Sequence, residues 1–255
     1  MISMKPVTKI ALFVTTTLLA GTAAAATIDY RGEYKHEDEK YAHRIKIGAN
    51  TKILDDQAKL SFGVEQKFQS SDQTDFWKEV VRGDSEFSWD VTYSLNDKWY
   101  IQPGMPITFA ETKTTYKPQF RVGYKADFGL TTALRYRHEL QTFETGTGTT
   151  SAAGGGSIVR DGKTLQQGKV TLTGSYKFSD EAWKNLKLSY EANYNVNYDD
   201  VRLANDKNWE WDLGLKVGYK MGDFTPYMEF WSSDYGSSAE NERQLKTRFG
   251  LKYSF

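Results

Sequence analysis

Apolar and polar residues alternate along most of this chain with a period of two. In 186–199 every even position is apolar or aromatic, and every odd position, from Lys187 to Asp199, is polar. The same alternation recurs at 86–95, 209–220 and 247–255. Successive side chains of a β-strand point to opposite faces, whereas a helix would spread both sets around its circumference. The pattern therefore predicts strands whose two faces meet different surroundings.

About twelve such segments follow one another. They lie near residues 27–36, 41–51, 58–68, 83–96, 99–109, 114–126, 130–141, 168–178, 185–199, 208–220, 225–233 and 243–255. Connections after even-numbered segments are short, as at 96–98, and the long ones, 69–82, 142–167 and 233–242, follow odd-numbered segments. Short periplasmic turns that alternate with longer outer loops are typical of outer-membrane barrels. We therefore predict an all-β fold, a transmembrane antiparallel β-barrel of about 12 strands.

A secreted β-sandwich or a soluble lipocalin-like barrel also alternates, but turns its apolar face inward. Three features favour an apolar face that meets lipid. The segments are long enough for a tilted membrane strand. Aromatic residues recur near segment ends, where membrane interfaces attract Trp and Tyr, and the last segment ends on Phe255, as in many outer-membrane barrels. The aromatic residues in question are Trp99, Trp183, Tyr198 and Trp209.

The first 25 residues have the order of a secretory signal peptide. Lys5 and Lys9 precede the apolar run 10–20, and small residues follow at 23–26. That run is too short for a comfortable transmembrane helix, which needs about 20 residues. We predict cleavage near Ala25 and a single barrel over 26–255. Export from the cytoplasm, combined with the barrel pattern, indicates the outer membrane of a Gram-negative bacterium.

The overall composition excludes several classes of protein. Lys and Arg number 33 against 33 Asp and Glu, which argues against a basic nucleic-acid binder. The absence of Cys excludes a disulfide scaffold and thiolate metal sites. An aromatic content of 15% argues against disorder. We therefore expect neither a nucleic-acid partner nor a cofactor or metal.

The polar face is more basic than the whole chain. Twelve tilted strands leave a bore of roughly 10–12 Å once side chains are included, wide enough for an extended sugar chain. Acidic residues are fewer on this face and concentrate in 83–96 and 208–212. Cross-strand pairing, for example of Arg135 with Glu86 or Glu139, is the competing role for the cations. The residues expected to line a solute pathway are Arg31, Arg44, Lys46, Lys117, Arg121, Arg135, Arg137, Lys169, Lys216, Arg248 and Lys252.

Several stretches of this sequence resemble the oligogalacturonate-specific porins of the KdgM type, a family that includes NanC-like sialic acid porins. The likeness covers nearly the whole mature chain. It is clearest at TIDYRGEYKH (27–36), DKWYIQPGM (97–105), TALRYRHE (132–139), VRLANDKNWEWD (201–212), DFTPYMEF (223–230) and TRFGLKYSF (247–255).

The excess of cations on the polar face favours an anion preference. The resemblance implies a monomeric twelve-stranded outer-membrane channel whose arginine-rich lumen passes acidic oligosaccharides by diffusion. It implies as partners these sugars, outer-membrane lipid and the assembly machinery that inserts such barrels through a final strand like the one ending at Phe255. The chain departs from the family in having many Lys in place of Arg and a Gly-rich segment at 145–157. The matching positions imply pore-lining roles for Arg31, Arg44, Arg121, Arg135, Arg137 and Arg248.

Other functions stay open at this point. A barrel-type enzyme such as an outer-membrane phospholipase needs a His near a Ser or Asp. However, His43 and His138 fall on the lipid-facing side, and His36 falls in a charged turn. Because none of these positions suits catalysis, we expect no enzyme activity.

A channel for another solute is a further alternative, with nucleosides, alginate or sialic acid oligomers as cargo and Tyr227 and Trp231 facing inward. A structural adhesin barrel with a blocked bore is another. The Gly-rich segment 145–157 is flexible by composition, and it either forms a mobile outer loop or constricts the pore. Asp199, Asp200 and Asp206 lack the spacing of a known calcium loop.

Overall fold

A computed structural model describes residues 25–70, 75–235 and 242–255. Residues 1–24, which hold almost all of the predicted signal peptide, lie outside the described residues, so the signal peptide and its cleavage point stay predictions. Among the residues that the structure describes, no helix has the length and apolar character needed to span a membrane.

The described chain is built almost entirely from β-strands, all of them antiparallel to their neighbours. The strands are β1 (Ala25–Lys35), β2 (Lys40–Ile53), β3 (Ala58–Ser70), β4 (Val80–Ser94), β5 (Trp99–Gly104), β6 (Ile107–Phe109), β7 (Lys113–Tyr116), β8 (Gln119–Lys125), β9 (Leu130–Phe143), β10 (Thr149–Ser151), β11 (Ser157–Val159), β12 (Thr164–Lys177), β13 (Leu186–Asn197), β14 (Trp209–Tyr219), β15 (Phe224–Asp234) and β16 (Arg243–Ser254).

Two strands of the barrel are each divided by a proline. β5 and β6 are separated at Met105 and Pro106, and β7 and β8 are separated at Lys117 and Pro118. Proline has no N–H to donate to the ladder. The hydrogen-bond ladder between neighbouring strands continues at both breaks, because Lys117 N donates to Pro106 O at 2.9 Å and His138 N donates to Pro118 O at 3.0 Å. With each divided strand counted once, and with the β10–β11 hairpin outside the wall, the described barrel has the predicted twelve strands.

The sheet closes on itself. β1 pairs with both β2 and β16, and β9 pairs with β12, so that every strand of the wall has two neighbours. Hydrogen bonds from Ala26 N to Phe255 O at 2.9 Å and from Phe255 N to Ala26 O at 3.0 Å join the ends of the barrel-forming chain. Closure removes the unpaired edges that lipid does not tolerate.

Large apolar side chains point away from the barrel interior. The side chains of Leu134, Leu172 and Phe249 are 55%, 42% and 47% exposed. Their neighbours in sequence on the same strands, among them Arg135 and Arg248, line the interior instead. A long apolar band on the outside suits lipid, so the predicted orientation is confirmed and the soluble alternatives are excluded.

The Gly-rich segment has structure of its own. β10 and β11 pair as a hairpin within it. Backbone hydrogen bonds from Ala153 N to Asp200 O at 2.8 Å and from Arg202 N to Ser151 O at 2.9 Å attach this hairpin to the next outer loop. The segment is therefore hydrogen-bonded to a neighbouring loop. Its residues 145–157 are not among those lining the two lumen cavities described below.

Two adjacent residues on β12 give a matched test of the orientation. Leu172→Lys places a charge in lipid near the middle of the strand, and we expect it to lower the free energy of unfolding by about 2–4 kcal/mol. Thr173→Lys places the same charge in the lumen opposite Glu191, and we expect a loss below about 1 kcal/mol. Urea unfolding from lipid vesicles measures both values. A larger loss for Thr173→Lys than for Leu172→Lys would show that the faces are inverted.

Candidate solute pathway

The predicted pathway residues gather around one space inside the barrel. Two adjoining cavities of about 760 Å³ and 820 Å³ share Arg31, Arg44, Lys67 and Arg248 in their linings. Lys252 is absent from both linings, although it lies on the same face of β16 as Arg248, four residues further along. The predicted residues that line the first cavity are Arg31, Arg44, Lys46, Lys117, Arg121, Arg135, Arg137, Lys169, Lys216 and Arg248.

One side of this cavity is formed by cations that oppose each other. Arg121 on β8 lies directly across from Arg135 on β9, and Arg137 on β9 lies across from Lys169 on β12. We call these four residues the basic cluster. Like charges placed directly opposite on neighbouring strands destabilise a sheet. This arrangement therefore needs either internal neutralisation or a role outside folding.

Neutral groups provide most of the contacts to the basic cluster. Gln119 Oε1 accepts hydrogen bonds from Arg137 Nη2 at 2.7 Å and Nε at 3.0 Å, and from Arg135 Nη1 at 3.5 Å. Arg135 Nη2 also donates to Thr171 Oγ1 at 2.9 Å. The carboxylate of Glu139 lies 3.7 Å from Arg137 Nη1, and it is the one carboxylate within 4 Å of the cluster among the described residues.

The other two members of the basic cluster have fewer contacts still. Within residues 25–70, 75–235 and 242–255, the side chains of Arg121 and Lys169 make no hydrogen bond and no ion pair. The Nε atoms of Arg121 and Arg135 are buried without a hydrogen-bond partner. A buried N–H without an acceptor costs free energy, so the wall does not fully satisfy these two guanidinium groups.

A series of hydrogen-bonded polar side chains in the wall fixes the position of Arg135. Thr171, which is 0% exposed, accepts from Arg135 and donates through Oγ1 to Asn193 Oδ1 at 2.7 Å. Asn193 Nδ2 donates to Glu191 Oε1 at 2.9 Å and to Asp212 Oδ1 at 2.6 Å. These two carboxylates are therefore bound to an amide on their own side of the wall, and Arg135 is held through Thr171 in a defined position.

The opposite side of the cavity contains a connected set of ion pairs, beside which Lys46, Lys67 and Lys246 also line the wall. It centres on β1, which lies six strands from β9 in either direction around the barrel. Arg44 pairs with Asp29 and, at 3.5 Å, with Glu65. Glu229 lies 3.1 Å from Lys216 and 3.3 Å from Arg248. We call the following eight residues, whose formal charges cancel, the ion-pair network: Asp29, Arg31, Glu33, Arg44, Glu65, Lys216, Glu229 and Arg248.

The sequence-based pairing of Arg135 was wrong in its details. Glu86 binds Lys117 Nζ at 3.0 Å, and Glu139 lies beside Arg137. No carboxylate of the described chain lies within 4 Å of Arg135. Paired cations and cations without a nearby carboxylate are thus both present in this lumen.

None of the three histidines lines the first cavity, although the second cavity borders on His43. His43 faces outward, where it stacks on Trp77 with 4.3 Å between ring centroids. His138 also faces outward and contacts Tyr136. His36 lies in the exposed turn after β1. In the part of the chain that the structure describes, no group of three His, Cys, Asp or Glu side chains is placed to hold a metal.

Several neutral residues of the lumen were not among those predicted from the sequence. Tyr227 and Trp231 do face inward beside Glu229, which was one of the alternatives that the sequence left open. Gln119, Thr171 and Tyr100 were not singled out. The period-two pattern could have identified them, because each occupies a position on the lumen-facing side of its strand.

Comparisons with known proteins agree with this architecture. The chain is 27% identical over 250 residues to the oligogalacturonate-specific porin KdgM of Dickeya dadantii (strain 3937), an alignment that covers 93% of this chain and 95% of that protein. It is 25% identical over 215 residues to the N-acetylneuraminic acid outer membrane channel protein NanC of Escherichia coli (strain K12), covering 81% and 79%.

A solved structure of the KdgM porin in complex with disordered oligogalacturonate has the same fold. It superposes with a TM-score of 0.60 at 19% identity and covers 90% of this chain and 99% of that chain. The family model described as oligogalacturonate-specific porin protein (KdgM) matches residues 19–255. The predicted family, fold and location are thereby confirmed: the chain belongs to the KdgM family of porins and is a Gram-negative outer-membrane channel, not an enzyme.

Proposed function

We propose that this porin is an anion-preferring diffusion channel for acidic oligosaccharides of the oligogalacturonate type. The observation that carries the proposal is the basic cluster, in which four cations meet a single carboxylate within 4 Å among the described residues. The cluster faces a cavity large enough for a sugar chain. A carboxylated solute supplies the charge that the wall lacks.

The chemistry of arginine suits this role. Its planar guanidinium binds a carboxylate through two parallel hydrogen bonds and stays charged at any physiological pH. Lumen-facing positions on one strand are two residues apart, which is about 6.8 Å. A flexible acidic chain can therefore exchange one guanidinium for the next without a long uncompensated step. Passage requires binding that is multiple and weak enough to release.

The ion-pair network attracts a solute anion less than the basic cluster does, because the carboxylates of the network already neutralise its cations. We infer that an acidic solute follows the side of the lumen formed by β8, β9 and β12. The network lines the side of the lumen formed by β1–β3 and β14–β16.

The choice of sugar rests on the relatives. The family is described as oligogalacturonate-specific, and one relative carries N-acetylneuraminic acid in its name. Both solutes are sugars that bear a carboxylate, which matches the basic cluster. We favour oligogalacturonate because the KdgM alignment covers more of this chain, and sialic acid oligomers are the second candidate. We also propose a monomeric channel in outer-membrane lipid, inserted by the assembly machinery through the strand that ends at Phe255.

Reversing two charges of the cluster tests the anion preference. The wild-type channel in a planar bilayer under a KCl gradient is expected to give a reversal potential of anion selectivity. In Arg135→Glu with Arg137→Glu, we expect this preference to be lost and uptake of trigalacturonate to fall by about tenfold or more, since each charge-assisted hydrogen bond contributes about 1.5–3 kcal/mol. Uptake of maltotriose, which is neutral, is expected to change little.

The matched control carries the same change in net charge outside the lumen. Lys98→Glu with Lys184→Glu alters two exposed turn residues and is expected to leave selectivity unchanged. Cation selectivity of the wild type, or equal loss of trigalacturonate and maltotriose uptake in the arginine variant, would contradict the proposal.

Gln119→Glu tests the same anion preference with a smaller change in charge. It keeps the side-chain shape but places a carboxylate where Arg135 and Arg137 now donate to an amide oxygen. We expect the ratio of chloride to potassium permeability to fall and block by trigalacturonate to weaken, while the free energy of unfolding stays equal or rises by up to about 1 kcal/mol. Gln57→Glu in an exposed turn is the control. Unchanged selectivity in Gln119→Glu would show that the cluster does not attract the permeating anion.

A further inference from the structure

In the described part of the chain, three aromatic rings on the lumen side lie against a glycine of a neighbouring strand. A Cβ atom added at any of these glycines would come within 2.0–2.4 Å of the ring, so a side chain there would force the ring away. The glycine backbone thus covers one side of each ring. The pairs are Tyr100 on Gly123, Tyr227 on Gly250 and Trp231 on Gly214.

Two of these rings are covered by side chains of the ion-pair network. Lys216 Nζ lies 3.3 Å from the centroid of Tyr227, which is only 5% exposed and donates a hydrogen bond to Asp29 at 2.9 Å. The guanidinium of Arg248 lies 4.6 Å from the centroid of Trp231, whose Nε1 donates to Glu229 at 3.0 Å. Both rings therefore serve as supports for cations of the wall.

Tyr100 differs from the other two rings. Its cation contact is much looser, with Lys125 Nζ 5.9 Å from the centroid. Its hydroxyl makes no hydrogen bond within the described part of the chain, so the polar end of the ring does not fix it to the wall. Tyr100 nevertheless lines the first cavity together with Arg121. An aromatic face is thus available to a solute at this point.

Tyr100 lies close to Arg121, so an aromatic ring and a cation face the lumen side by side. Gly123, which carries the ring, is the next lumen-facing residue after Arg121 on β8 and lies opposite Tyr100 on β5. The Cα atoms of Arg121 and Gly123 are therefore about 6.8 Å apart along β8, so the ring and the guanidinium extend from neighbouring points of the same lumen face. Arg121 is also a cation without an ion pair among the described residues, and its Nε lacks a hydrogen-bond partner.

We propose that Tyr100 and Arg121 form a subsite for a single uronate unit of the permeating chain, a proposal that rests on the function proposed above. The ring receives the apolar C–H face of the pyranose, and the guanidinium binds its carboxylate. Dispersion contacts between the two faces are non-directional and individually weak. The subsite therefore favours a ring-shaped acid over an acyclic one and still releases it.

The strand partner of Tyr100 explains why the subsite leaves the bore open. With glycine at 123, the ring lies against the backbone and does not project across the lumen. A larger residue there would push the ring into the pathway. The same residue pair thus provides both the stacking face and the space in front of it.

Single-channel recording tests the subsite with two probes. Trigalacturonate is an acidic sugar, and tricarballylate carries three carboxylates without a ring. In Tyr100→Leu we expect the residence time of trigalacturonate in the pore to shorten by about fivefold, with no change for tricarballylate and no shift of the reversal potential. Tyr100→Phe keeps the ring and is expected to behave as the wild type.

A matched control removes an aromatic ring from the outside of the barrel. Tyr198 is outward-facing and lies on Gly168 in the same way, and Tyr198→Leu is expected to leave both residence times unchanged. If Tyr100→Leu fails to insert, Tyr100→Met, which keeps the bulk and lacks the ring, takes its place.

The possible outcomes separate the two proposals. Equal shortening for both probes in Tyr100→Leu, or a trigalacturonate residence time equal to that of the wild type, overturns the subsite and leaves the anion channel standing. A wild-type channel that trigalacturonate does not block, or that selects cations, overturns the proposed function and the subsite with it.

Discussion

A peptide N–H or C=O without a partner costs several kcal/mol in hydrocarbon, and this constraint determines the form of the whole molecule. The ladder from β1 to β16 closes because an open edge would leave a row of such groups in lipid. Closure in turn assigns each side chain to one of two solvents by its parity along the strand. Lipid contacts one set and water the other, so the chemistry of the lumen is restricted to alternate residues of each strand.

That restriction explains how much the sequence could predict. Parity alone indicated that Arg135 and Arg137 share a face and that Leu134 does not, and the structure confirms it. The alternation does not predict which side chains pair with each other, because contacts across strands depend on their register. The alternation therefore allowed Arg135 to pair with Glu86 or Glu139, whereas Glu86 binds Lys117. The interruptions beside Pro106 and Pro118 bring β6 and β7 between β4 and β9, and nothing in the local alternation predicts which cation then meets Glu86.

The unequal distribution of carboxylates around the lumen separates two uses of charge. In the ion-pair network each cation has an acid within 4 Å, so the charges stiffen the wall and attract few ions. In the basic cluster neutral acceptors such as Gln119 and Thr171 orient the guanidinium groups without cancelling them. A protein selected for stability alone would place an acid at position 119, since Glu has the same shape and would relieve the repulsion between Arg121, Arg135 and Arg137. The amide there therefore favours a function that needs the uncompensated charge.

Rings lying on glycine occur on both faces of this barrel, and the comparison shows what is particular to Tyr100. Tyr198 on Gly168 faces outward, where its ring stacks on His138 and its hydroxyl hydrogen-bonds that of Tyr136. In the lumen, water surrounds the exposed face, and the rings of Tyr227 and Trp231 are covered by cations. Tyr100 keeps an apolar face toward water, which is unfavourable in the empty pore. A sugar ring removes that face from water, and the free energy gained adds to the attraction of Arg121 at the same point of the pathway.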